Sequence, residues 1–231
     1  MKTVGLIGGV GPESTIEYYR FIIEAYRAAT KDDTYPSILI NSVDVNKYVA
    51  LATANQFDKF ADGLVIEIDR LARAGADFGA LAANTPHIVF GELQGRSKIP
   101  LVSIVEATCD KARDLGLKRV ALLGTLFTMT GGFYQDVFAR ARIDLVVPTS
   151  EEQSYIHEKY IGELLKNVFT DETRVGLLAI IDQLRKREAI EAVVLGGTEL
   201  PLILRDAESG NIKFLDTTKI HVEKIVQRLL S

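Results

Sequence analysis

Short apolar runs alternate with longer amphipathic segments along the whole chain, and this alternation constrains the fold more than any other feature. The runs are Thr3–Gly8, Ser37–Val43, Asp77–Ala82, Leu101–Val105, Arg119–Gly124, Asp144–Val147, Glu191–Gly196 and Lys213–Leu215. Most are apolar throughout, as strands covered on both faces are. Between them, apolar residues recur at helical spacing. Ile16, Tyr19, Ile23 and Tyr26 form one such series; Phe57, Phe60, Ala61, Leu64, Ile68 and Leu71 form another. Strand and helix in alternation predict parallel α/β units.

A weak internal repeat sharpens this. The first run ends in Gly8-Gly9, and a later one ends in Ala83-Asn84-Thr85. Further on, Gly124-Thr125 ends one run and Gly197-Thr198-Glu199 follows another, after nearly the same interval. The expected architecture is α/β with two similar, pseudo-symmetric lobes of mainly parallel sheet. One lobe would comprise 1–98 plus 209–231 and the other 99–208, with the last strand and helix, from about Lys213, returning to the first. Ligands in open α/β sheets bind beyond the carboxyl ends of strands, so a small-molecule cleft is expected between the lobes.

Composition excludes several classes. The 231 residues carry a net charge of −4 and no Lys/Arg stripe with interleaved aromatics, so no nucleic-acid partner is expected. No apolar run approaches the ~18 residues of a membrane span. The single cysteine, Cys109, precludes an intrachain disulfide and fits the cytoplasm. It shares a helical stripe with Val105, Ala112 and Leu115 or Gly116 and reads as core. The three histidines, His87, His157 and His221, lack metal-ligand spacing, and no metal is expected.

Four strand-end turns remain as candidate sites. In Gly8-Gly9-Val10-Gly11-Pro12-Glu13-Ser14-Thr15, Ser14 stands where a dinucleotide loop needs its third glycine, and no Gly-Lys-Ser/Thr follows. The turn reads either as a tight junction capped by Ser14 or Thr15, or as an anion cradle in which the Gly9 backbone approaches a ligand. Asn84-Thr85 and Thr198-Glu199 read as helix N-caps, and capped N-termini also attract carboxylates. Thr125 and Thr128 add hydroxyls in Gly124-Thr125-Leu126-Phe127-Thr128-Met129. His87 reads as a local hydrogen-bonding residue or a base, and Lys166 sits on a helical segment, Tyr155–Asn167.

Taken together, Gly8-Gly9-x-Gly11-Pro12-Glu13-Ser14-Thr15, Asn84-Thr85-Pro86-His87, Gly124-Thr125-x-x-Thr128-Met129, Gly197-Thr198-Glu199-Leu200 and Asp216-Thr217-x-x-Ile220-His221 resemble the aspartate/glutamate racemase family, nearly end to end. The resemblance implies a homodimer acting on a small acidic amino acid or related dicarboxylate, with neither pyridoxal phosphate nor metal. It implies that Gly9, Asn84, Thr85, Thr125, Thr128 and Thr198 bind substrate and that Lys166 faces its side-chain carboxylate. In the family, one cysteine removes the α-proton and a second delivers a proton to the opposite face. Those positions fall on Ala83 and Gly197 here.

Alanine and glycine side chains exchange no protons, whereas a thiol with pKa about 8.5 can serve as acid and base. Two-thiol racemisation is therefore closed to this chain. Two readings stay open. The chain could be an isomerase-like enzyme with low, one-sided or altered activity, using His87, Glu199 or Lys166. The alternative is a catalytically inactive binder or sensor of an acidic metabolite.

Overall fold

The computed structural model describes residues 2–31, 33–204 and 212–231. The chain divides into two compact units, Met1–Ala107 with Thr218–Ser231, and Thr108–Thr217. The first contains β1 (Thr3–Gly8), α1 (Pro12–Thr30), β2 (Ser37–Ser42), α2 (Val45–Thr53), α3 (Phe57–Arg73), β3 (Phe78–Leu81), a 3₁₀ turn (Thr85–Val89), α4 (Phe90–Arg96) and β4 (Leu101–Val102). Helix α5 (Ile104–Asp114) spans the boundary. The second unit contains β5 (Arg119–Gly124), α6 (Leu126–Thr130), α7 (Phe133–Arg140), β6 (Asp144–Val146), α8 (Ser150–Gly162), a 3₁₀ turn (Leu164–Lys166), α9 (Asp171–Glu188), β7 (Ala192–Gly196), α10 (Leu200–Leu204) and β8 (Lys213–Asp216). Helix α11 (Thr217–Leu230) ends the chain in the first unit.

Each unit holds a four-stranded parallel sheet, in the orders β2-β1-β3-β4 and β6-β5-β7-β8. The two orders are the same permutation, so the repeat seen in the turns extends to the whole topology. The central strands β3 and β7 are buried at every position. Such strands need helices on both faces, which is why helical segments separate them.

The lobe limits differ from the expected ones. Strand β4 joins the first sheet, and β8 pairs with β7 in the second; only α11 crosses to the first unit. There Val222, Ile225, Val226 and Leu229 pack with Val4, Leu6, Tyr18, Ile22 and Phe78. In the second unit, Leu123, Ile156, Leu177, Ile181, Val193 and Leu195 lie in one cluster.

Helix α3 buries Phe60, Ala61, Leu64, Ile68 and Leu71, the face its periodicity predicts. Helix α1 does not follow its predicted stripe. It buries Ser14, Glu17, Tyr18, Ile22 and Tyr26, while Ile16 and Tyr19 are exposed. The helix carries apolar residues on two faces, and packing against α11 selects the one bearing Tyr18 and Ile22. The expected strand Leu101–Val105 stops at Val102, because Ile104 begins α5. Cys109 is buried, with its Sγ 3.8 Å from the Val137 carbonyl. Its stripe ends at Ala112, since Leu115 is exposed and Gly116 adopts a left-handed conformation after the helix. Among the described residues no helix is long and apolar enough to cross a membrane.

Candidate active site

In each unit the topology brings two strand-end turns side by side. Ile7 of β1 accepts the Ala82 N–H at 2.9 Å, so the Gly8-Gly9 turn lies beside the Ala83-Asn84 turn. In the second unit Gly124 pairs with Gly196, so the Thr125 turn lies beside Gly197-Thr198-Glu199. That second approach depends on glycine. A Cβ on Gly124 would lie 2.6 Å from the Gly196 carbonyl oxygen, and one on Gly196 would lie 3.1 Å from Thr128 Cγ2.

The first turn is internally tied. Gly9 has φ +78°, and a Cβ there would lie 2.6 Å from both Ser42 Oγ and the Val43 nitrogen. Its N–H donates to Thr15 Oγ1 at 2.8 Å, and that hydroxyl reaches the Gly11 carbonyl at 3.1 Å. Neither Ser14 nor Thr15 caps α1; Gly11 is the N-cap and makes no side-chain bond. The Gly9 amide is thus already engaged within the turn.

At the neighbouring turn, Ala83 and Asn84 are buried and Thr85 is half-buried. Asn84 precedes the 3₁₀ turn with helical backbone angles, and its side chain makes no capping bond, unlike the expected N-cap. His87 Nε2 accepts the Ile104 N–H at 3.2 Å, so Nδ1 carries the proton and faces the Ala83 and Asn84 carbonyls at 3.1 and 3.2 Å. Burial first, and His221 second, push His87 down to about 3, against the pull of the two carbonyls. A neutral ring with both nitrogens engaged has no lone pair to offer a substrate. It braces the turn against the start of α5.

The other histidines are structural in the same way. His221 Nδ1 accepts the Tyr18 hydroxyl at 2.8 Å while Nε2 donates to the Val102 carbonyl at 3.0 Å. His157 Nδ1 accepts the Leu126 N–H at 3.2 Å and holds the Thr125 turn. Thr125 is the N-cap of α6: its hydroxyl accepts the Thr128 N–H at 3.2 Å and lies 3.1 Å from the Thr128 hydroxyl.

The second matched turn is organised around Glu199. Its Oε2 accepts the Tyr160 hydroxyl and the Thr198 hydroxyl, the latter at 3.0 Å. The Thr198 hydroxyl thus serves the carboxylate. Tyr160 and Glu199 are 5% and 2% exposed. Burial, then the Glu199 charge, hold the Tyr160 phenol well above its ordinary pKa, opposed in part by the Glu199 N–H. Gly197 is outside the left-handed region. Its constraint is steric: a Cβ would lie 2.9 Å from both Cζ and the hydroxyl of Tyr160.

Sequence reasoning missed Tyr160. The signal was there in part, since Gln153, Ile156 and Tyr160 form the buried stripe of α8, and a buried tyrosine hydroxyl needs a partner. Lys166 is exposed and sits in the 3₁₀ turn after α8, not in the helix as expected. A separate polar cavity of ≈ 240 Å³ lies past the end of β2, lined in part by Asn41, Ser42, Lys47, Tyr48, Glu67 and Arg70. Glu67 accepts Asn41 Nδ2 at 2.7 Å and pairs with Arg70 at 2.6 Å. Among the described residues the buried Tyr48 hydroxyl has no hydrogen-bond partner, and burial above all lifts it to about 12. None of the candidate site residues lines this cavity.

Two parallel four-stranded sheets of identical order, with paired strand-end turns, define a two-lobed α/β protein of the amino-acid racemase type. Residues 7–225 match the Asp/Glu/Hydantoin racemase family, and the chain belongs to it. A Yersinia pestis protein described as a candidate Asp/Glu racemase superposes with a TM-score of 0.89 at 28% identity, over 100% of both chains. An aspartate racemase homologue from Pyrococcus horikoshii gives 0.84 at 32% identity, again over 100% of both. The broad specificity amino-acid racemase RacX of Bacillus subtilis is 29% identical over 137 residues, spanning 58% of this chain and 59% of RacX.

Proposed function

We propose that this protein binds a small acidic amino acid and exchanges its α-proton on one face only, as an isomerase-like member of its family. The observation that carries this is the pair of matched turns. Each keeps the polar residues of the motif, Asn84 and Thr85 in one and Thr198 and Glu199 in the other, while Ala83 and Gly197 supply no proton-transfer group. Substrate contacts are assigned to Asn84, Thr85, Thr125, Thr128 and Thr198, with Lys166 toward the side-chain carboxylate; Gly9 drops out, because its amide is held by Thr15. The similarity to RacX and to the Pyrococcus horikoshii aspartate racemase homologue supports an amino acid as the ligand. The proposal includes work without pyridoxal phosphate or metal, in the cytoplasm, as a homodimer.

His87 drops out as the base in this reading, because both its nitrogens are engaged. Glu199 remains. The same observation supports a second reading, a binder that leaves its ligand unchanged.

The test is calorimetric titration with D- and L-aspartate and D- and L-glutamate, followed by proton NMR of each in D₂O. The expected result is binding of at least one, with decay of its α-proton signal and no accumulation of the mirror image. Binding without decay would select the second reading. No binding of any of the four would overturn both.

A further inference from the structure

Gly197 and Tyr160 share one volume. Helix α8 carries Tyr160 to the turn after β7, and its hydroxyl stands 2.9 Å from where a side chain at 197 would begin. It donates there to Glu199 Oε2, which also accepts the Thr198 hydroxyl at 3.0 Å. The place that the family resemblance gives to a thiol is filled by a phenol held on a carboxylate. Any larger residue at 197 would displace that phenol, so the glycine and the tyrosine are a matched pair.

We propose that Tyr160 and Glu199 form the proton-transfer dyad of this site, with Tyr160 as the group that meets the substrate α-carbon and Glu199 as the base behind it. The inference rests on the amino-acid reading given above and names its working group. The phenol by itself is a poor starting base, because burial and the neighbouring carboxylate keep it protonated. A relay removes that difficulty. The substrate Cα–H bond breaks and its proton bonds to the phenol oxygen, while the phenol's own proton passes to Glu199 Oε2. The electron pair of the broken bond stays on the substrate as an enolate. Reversal returns a proton to the same face. In D₂O the returned proton is a deuteron once the dyad has exchanged with solvent.

The surroundings suit this step. The Glu199 N–H hydrogen-bonds the phenol oxygen, which favours it as negative charge passes through, and the oxygen keeps a second lone pair for the incoming proton. Every part of the relay belongs to one turn and one helix of the second unit, whereas Ala83 offers no acid or base in the other matched turn. One enantiomer should therefore exchange, with retention.

The experiment compares the whole protein with Tyr160→Phe and Glu199→Gln. D- and L-aspartate and D- and L-glutamate are the probes, α-proton decay in D₂O is the readout, and calorimetric titration and melting temperature are the controls. General acid–base groups contribute roughly 100-fold or more to rate. The expected result is a loss of about that size in each variant, for the single enantiomer that exchanges, with its affinity retained within a few-fold. If Tyr160→Phe does not fold, Glu199→Gln decides, since it keeps the phenol and an amide oxygen to accept from it. Exchange at the parent rate in a folded variant would overturn the dyad and leave the proposed function standing. A parent protein that binds without exchange would overturn the dyad and select the binder. Failure to bind any of the four would overturn the functional reading itself.

Discussion

The ring of Tyr160 stands where a side chain at Gly197 would project, with Cζ and the hydroxyl both 2.9 Å from the Cβ position. The hydroxyl is held there by Glu199, two residues beyond the glycine. Gly197 is thus required for space, and its φ imposes no demand for glycine.

Gly197→Ala should lower stability to urea unfolding by about 1–3 kcal/mol, the usual cost of inserting a methyl group into filled space. In a Tyr160→Ala background the same substitution should cost less than about 0.5 kcal/mol, because the clash is gone. Equal costs in the two backgrounds would assign the penalty to the backbone and refute the steric reading.

Restoring thiols should depend on the same contact. Ala83→Cys with Gly197→Cys places thiols at both motif positions but sets the second against Tyr160. Adding Tyr160→Ala should yield racemisation of aspartate or glutamate, detected by chiral chromatography, above that of the double variant. A folded triple variant silent on all four enantiomers would show that the site is not a racemase site.

Acid should weaken the fold through its histidines. His87 and His221 sit at about 3 and about 4, and burial lowers His157 as well. With an unfolded pKa near 6.5, the unfolded chain binds more protons below that value, so stability falls as pH drops from about 6.5 toward 4. Each buried histidine contributes up to about 1.4 kcal/mol per pH unit within that window. Carboxylates such as Glu152, bonded by Arg187, and Glu191, bonded by the Lys118 and Arg119 N–H groups, are held below the ordinary carboxylate range, which leaves the upper part of the window to the histidines. His87→Gln keeps a donor and an acceptor and should flatten the slope between pH 6 and 5, read by urea unfolding at each pH. An unchanged slope would mean that His87 takes up its proton in the folded state.

The two threonines of the second unit should separate by role. Thr125 caps α6, so Thr125→Ala should cost about 1 kcal/mol while Thr125→Ser costs little. Thr198 bonds Glu199, so Thr198→Ala should alter proton exchange more than helix stability. Calorimetric melting and α-proton NMR on the same samples check both expectations.

Much of the fold was legible because it is periodic. Thr3–Gly8 and Arg119–Gly124 form strands with the limits read from the chain, and α3 buries the expected face. Periodicity failed where two faces were equally apolar, as in α1, and where an apolar run continued into a helix, as at Val102–Ile104. The candidate site was legible as turns. It was not legible as contacts: Asn84 has the residue type of a cap, yet at helical backbone angles its side chain makes no capping bond, and the Thr198 hydroxyl donates to the neighbouring Glu199 carboxylate.

The sequence by itself determined the alternation of parallel strand and helix, the places of the four strand-end turns, and the lack of a thiol at residues 83 and 197. Each of these depends on residue identity or spacing within a short stretch. Only the tertiary structure decided that α11 completes the first core, that His87 is braced on both nitrogens, and that Tyr160 fills the space beside Gly197. Those outcomes join residues far apart in the chain. Helical and strand periods report that a side chain is buried, but which partner it meets is set by packing.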